Sequence, residues 1–334
     1  MPDVVDMLQE LPHAITPGPA GPDIVAADVA RGHRALRQRR RYRLAGAAGA
    51  GAAAAVAVVL AVTSTPPPAA PPTRPVAKSP AMHPALVTLA ARITKTAGSQ
   101  PGNASLQIVT QTIGGKLMQV YFGLYTNSGQ LYSGDDKKTL IRAVAGHENQ
   151  ADGTDVREVA AARYAATGNL ATARVRMVNA TPNDFFGSLA VRKKIWAAGA
   201  KARNTILREK GIKTPLKLPV GKVLKEEINN SLWTNSTDAL NWAGGDPKIR
   251  AGVLRLLSTI PEVTVAKSTT HGLPTLTITA GPAVFGGSGE EVLTVSATTG
   301  LPVKSVSTAP GVPAGVETYR VSRVTLTSIK AGKF

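Results

Sequence analysis

The sequence predicts an α+β fold: an antiparallel β-sheet covered by helices, preceded by one transmembrane helix. Three observations predict it. Strand signals open and close the outer part of the chain, with helical patterns between them. An uncharged stretch of 19 residues, Leu44 to Val62, directly follows an arginine cluster. A proline tract then separates that stretch from everything downstream.

The uncharged stretch divides the chain. At 1.5 Å per residue it reaches roughly 28 Å, enough to cross a bilayer core. Ten Ala and three Gly make it a weakly apolar span. Arg31, Arg34, Arg37, Arg39, Arg40, Arg41 and Arg43 lie upstream, and no charge follows until Arg74. A one-sided arginine excess keeps its side in the cytoplasm. Residues 1–43 are therefore expected as a cytoplasmic leader, 44–62 as the span, and the remainder as extracytoplasmic. The basic leader is longer than the roughly 15–30 residues of a whole signal peptide, which argues for a retained anchor.

Residues 63–84 hold eight prolines and read as a stiff stalk. Fully extended, it reaches about 70 Å at 3.1 Å per residue. Residues 85–334 form the outer domain. The chain has no cysteine, which excludes thiol catalysis and cysteine metal sites.

Elements of the outer domain follow in order. Leu86, Leu89, Ala90 and Ile93 recur at helical spacing within 85–97. Ser105–Ile113 and Leu117–Thr126 carry strand character, and Gly114-Gly115 between them signals a hairpin. Asn127-Ser-Gly129 turns into a third strand, Gln130–Ser133. Residues 138–258 read as mostly helical, with segments at 156–166, 170–177, 184–210 and 220–229. Asp152 and Asp155 suit a capped helix start. Asp246 suits an N-cap, with Pro247 in the first helical position. Strands at 263–267, 274–280, 291–297, 302–308 and 317–329 close the chain.

Chemistry is sparse. His147 and His271 are the domain's histidines and read as loop residues. No HExxH, phosphate-loop or nucleophile-elbow pattern is present. Glu290 and Glu291 are neighbours on a strand and point to opposite faces, so they form no catalytic pair. No catalytic residue, cofactor or metal site is expected, and the reading is non-enzymatic.

The outer domain carries 30 Lys and Arg against 16 Asp and Glu, a net of +14 within the chain's +18. Such a domain is drawn to anionic lipid or acidic envelope polymers. Nucleic acid is excluded by topology. The candidate interaction surface is the basic segment with Arg192, Lys193, Lys194, Lys201, Arg203 and Arg208, whose apolar side is Leu189, Trp196, Ile206 and Leu207. Trp233 and Trp242, with Asp238, Leu240 and Asn241 between them, are candidates for a pocket mouth or, equally, for core anchors.

Three stretches carry a resemblance: Asp246–Val265 with its Ser-Thr-Ile-Pro-Glu-Val, Glu291–Lys304 with its Ala-Thr-Thr-Gly-Leu-Pro, and Tyr319–Leu326. Together with the Arg-rich leader and Ala-rich span, they resemble a family of actinobacterial single-pass proteins of unknown function. Its outer domain is similar to the lipoprotein-carrier (LolA-like) architecture. The resemblance implies a curved half-barrel sheet with helices on its concave side. Glu262 stands where that family usually has Gly, and Ser296-Ala-Thr-Thr-Gly300 lacks its usual Asp before the turn. The expected function is membrane-anchored binding or sensing of an apolar ligand, lipid or protein segment against the sheet, with the leader relaying to a cytoplasmic regulator. The layout also resembles membrane anti-sigma regulators, without the cysteines of their zinc motif. A structural envelope component and an exported hydrolase are the alternatives.

Overall fold

A computed structural model describes residues 82–96, 101–181, 183, 185–198, 217–285, 289–309 and 311–334. The expected leader, span and nearly all of the stalk lie outside them. Among the described residues no helix is long and apolar enough to cross a membrane.

The chain is α+β, with an open, curved, eight-stranded sheet that is antiparallel throughout. The strands are β1 (Ala104–Ile113), β2 (Lys116–Thr126), β3 (Leu131–Gly134), β4 (Val263–Thr270), β5 (Leu273–Ala280), β6 (Glu290–Ser296), β7 (Pro302–Ala309) and β8 (Val312–Val324). Their order is β3-β2-β1-β8-β7-β6-β5-β4. Two meanders built from near neighbours thus meet at β1 and β8, which pair from Ala104↔Val324 to Ile113↔Gly315.

Hairpin chemistry sets the registers. Gly114 and Gly115 both take positive φ, 57° and 80°, between β1 and β2. His271 and Gly272 do the same, at 49° and 76°, between β4 and β5. Two left-handed central residues match the twist of the flanking strands.

The helices are α1 (Pro84–Thr96), α2 (Lys137–Ala145), α3 (Gly153–Ala165), α4 (Leu170–Val178), α5 (Leu189–Ala198), α6 (Gly221–Ala243), α7 (Pro247–Leu257), α8 (Pro282–Phe285) and α9 (Leu326–Lys330). Asp136, Asp152, Asn169, Asp246 and Thr325 cap α2, α3, α4, α7 and α9, each accepting a backbone N–H of the first turn. Asp152 and Asp155 form the reciprocal capping box of α3.

Helices cover both faces of the sheet, not one. Helices α1, α3, α4, α6 and α7 build the larger core with Leu276, Ile278, Leu293 and Val295. On the opposite face, α2 and α9 pack over Leu106, Leu124 and Tyr132. The expected strand over 317–329 ends at Val324 because Thr325 caps α9. Helix α6 also runs past the expected 229 to Ala243. Its polar stretch stays helical because its side chains find partners across the interface: Asn235 Nδ2 donates to the carbonyl of Met177, 2.7 Å away at the end of α4. His83, placed on the stalk by sequence, is part of the folded body. Its backbone N–H donates to the Ser258 carbonyl at 3.1 Å.

Close helix crossing depends on one glycine. A Cβ at Gly252 of α7 would sit 1.7 Å from the Ala162 carbonyl oxygen of α3. The two backbones touch there, and no side chain fits.

Candidate functional site

A cleft of about 350 Å³ opens at the edge of the helix layer, between α4, α6 and the turn after α7. Leu224 and Ile228, one turn apart on α6, form its floor, and Phe186 and Pro261 flank them. Arg174, Lys225, Asn229 and Thr259 supply its polar atoms.

These polar groups are held in place. Arg174 donates to the Thr259 carbonyl at 2.8 Å and also to the Thr259 hydroxyl. Lys225 Nζ donates to Glu262 Oε1 at 2.6 Å, and Asn229 Nδ2 to Glu262 Oε2 at 2.8 Å. Glu262 therefore links α6 to the start of β4. Burial lowers the pKa of Arg174, and the Glu262 carboxylate opposes that shift. Nearby on α6, Glu227 is pushed up to about 7, chiefly by burial and secondly by the adjacent Glu226 charge.

The arrangement suits an apolar group with an anionic end. Apolar carbons line the cleft, and of its two cations Lys225 is paired with Glu262, which leaves Arg174 as the net positive charge. Thr259 is the hydroxyl of the lining, and it is already committed, donating to the Leu256 carbonyl at 2.6 Å.

The sequence-predicted residues fall elsewhere. Trp233 is fully buried in the main core. Its Nε1 donates to Glu291 Oε2 at 3.0 Å, and Ser305 Oγ donates to the other oxygen of that carboxylate at 3.1 Å. Trp242 is partly buried against the same core. Neither lines the cleft. Of the basic segment, Arg192 is 5% exposed and donates inward to the Pro219 carbonyl. Lys193 and Lys194 are exposed. Lys201, Arg203 and Arg208 lie outside the described residues. Leu189, expected on the packed side of its helix, is half exposed, while Trp196 and Arg192 face the body.

His147 and His271 occupy turns with φ of 54° and 49°. Among the described residues no three His, Asp or Glu converge on a point where a metal could sit. The sheet directs Glu291 into the core and its neighbour Glu290 to the other face, paired with Thr308.

Sequence reasoning missed Arg174, Lys225, Asn229 and Glu262 as a group. The i,i+4 spacing of Lys225 and Asn229 was the only local signal, and it is a common one.

Comparison with protein-family models, with curated proteins and with solved structures finds no match to this chain.

Proposed function

We propose that the chain is a membrane-anchored extracytoplasmic protein that binds an apolar ligand carrying one anionic group, without transforming it. The cleft carries this reading. Leu224 and Ile228 line it together with Phe186 and Pro261, and Arg174 supplies the positive charge that Glu262, paired with Lys225, leaves over. The uncharged stretch 44–62 behind its arginine cluster supports the anchor. The open, curved antiparallel sheet with a helix layer supports a lipoprotein-carrier-like architecture. The binding place differs from the expected one. The sheet face under the helices is filled by Leu276, Ile278, Leu293 and Val295, so the ligand goes to the edge of the helix layer.

The test is calorimetric titration of decanoate into a protein spanning residues 82–334, which holds both apolar cores. Saturable 1:1 binding is expected. Ile228→Trp, which fills the cleft, should abolish it while the chain stays folded by circular dichroism, checked because Ile228 also packs against the main core. Absence of binding, or equal binding by Ile228→Trp, rejects the reading.

A further inference from the structure

Exposed apolar side chains occur on α5, just before it, and at the entry to α6, the helix that lines the cleft. Phe186, Leu189, Val191, Ile195, Val220 and Val223 are each 46–53% exposed. They belong to two neighbouring elements. The Arg192 guanidinium bonds the Pro219 carbonyl and so ties α5 to the segment entering α6. Phe186 and Leu224 share the cleft. Val191 and Ile195 lie one turn apart on α5, a helix whose side chains are exposed except at Arg192 and Trp196. Exposed apolar side chains such as Val191 and Ile195, one turn apart, beside Val220 and Val223 mark a candidate interaction site.

Charge narrows the partner. Lys194, Lys217 and Lys222 are exposed on the same two elements, whereas the exposed Lys193, two residues from both Val191 and Ile195, lies on the opposite side of α5. Among the described residues, Glu226 is matched by Lys222 at 3.6 Å and Glu262 by Lys225 at 2.6 Å. Lys194 and Lys217 add positive charge beside the apolar side chains. Apolar side chains interleaved with lysines on an exposed helix are the composition that seats shallowly in an anionic bilayer interface.

The geometry points to a docking face for an anionic lipid surface, made by α5 and the first turn of α6. Val191, Ile195, Val220 and Val223 enter the head-group boundary, and the flanking lysines meet the phosphates. This contact is additional to any membrane span. It goes beyond the ligand reading and does not require the cleft to be filled.

The chain contains no cysteine, so one introduced thiol is one labelled site. Val191→Cys, Ile195→Cys and Leu273→Cys are each labelled with an environment-sensitive fluorophore. Leu273 is the reference: it is 69% exposed and follows the β4–β5 turn. The full chain is reconstituted into vesicles of phosphatidylcholine, or of phosphatidylcholine with phosphatidylglycerol, with and without nitroxide on the lipid tails. The labels at 191 and 195 should be quenched several-fold more in phosphatidylglycerol vesicles. Raising the salt should reduce that quenching, because the lysine contribution is screened. The label at 273 should stay unquenched in both. Lys194→Glu with Lys217→Glu should erase the difference, at roughly fivefold per lysine for charges near the surface.

Labels at 191 and 195 no more quenched than at 273 would overturn the proposal. So would shielding from aqueous iodide without lipid quenching, which would assign the face to a protein partner or a second copy. Ile228→Trp separates this from the ligand reading, since it removes decanoate binding and leaves lipid quenching intact.

Discussion

The indole Nε1 of Trp233 donates to Glu291 Oε2 across 3.0 Å, joining the middle of α6 to strand β6 inside the core. Ser305 of β7 completes the arrangement from the other carboxylate oxygen. A buried carboxylate is tolerated when hydrogen-bond donors surround it. Glu291→Ala should cost about 3 kcal/mol, since it leaves the Trp233 N–H without its acceptor in a dry site. Glu291→Gln keeps an acceptor and should lose about 1 kcal/mol. Denaturant unfolding of the two variants checks the ordering. Equal losses would refute it.

Gly252 permits the α3–α7 crossing. Gly252→Ala places a methyl carbon on the Ala162 carbonyl and forces the helices apart. The expected cost exceeds about 3 kcal/mol, at the far end of single-substitution effects. Alanine normally favours a helix over glycine by about 1 kcal/mol, so a stabilised variant would disprove the close crossing.

Glu227 makes stability depend on pH. Its carboxyl is raised from 4.5 to about 7 in the folded chain. Between those values the folded chain binds more protons than the unfolded one, so this group makes stability fall as pH rises. The destabilisation is absent below about pH 4 and complete above pH 7. Glu227→Gln should therefore unfold with the parent at pH 4 and gain on the order of 2 kcal/mol at pH 8, allowing for incomplete burial. A gain of the same size at both values would remove ionisation as its cause.

His271 holds φ at 49°, the left-handed region that Gly, Asn, Asp and His enter more readily than β-branched side chains. His271→Asn should raise stability by about 0.5 kcal/mol by restoring the favoured Asn-Gly hairpin pair. His271→Val should lower it by more than about 1 kcal/mol. Thermal melts of both variants decide the matter.

Much of the sheet was legible in the sequence because its signals are local. Gly114-Gly115 and the flanking apolar alternation identify one hairpin without any tertiary information. The Asp246-Pro247 start of α7 is equally local. Helix α6 was read short because Asn235, Ser236, Thr237 and Asp238 are poor helix formers. Burial and cross-helix bonds such as Asn235 to Met177 override that preference. The cleft was illegible for a different reason. Arg174, Lys225 and Glu262 come from three separated segments, and only the fold brings them together. The basic segment misled in one respect: charge patterning marks Arg192 as surface, whereas its guanidinium turns inward to the Pro219 carbonyl.

The seam between β1 and β8 has a consequence for how the molecule comes into being. Each meander can pair its own strands as soon as they are made, because their turns are short. The ten-residue ladder joining them waits for a strand more than two hundred residues downstream. During synthesis β1 therefore carries an open hydrogen-bonding edge for most of the chain's elongation. Closing so distant a pair is entropically slow. Pairing of β1 with β8 is therefore the step expected to be slowest in refolding, and the hazard in that interval is a β1 edge open to the β8 of another molecule.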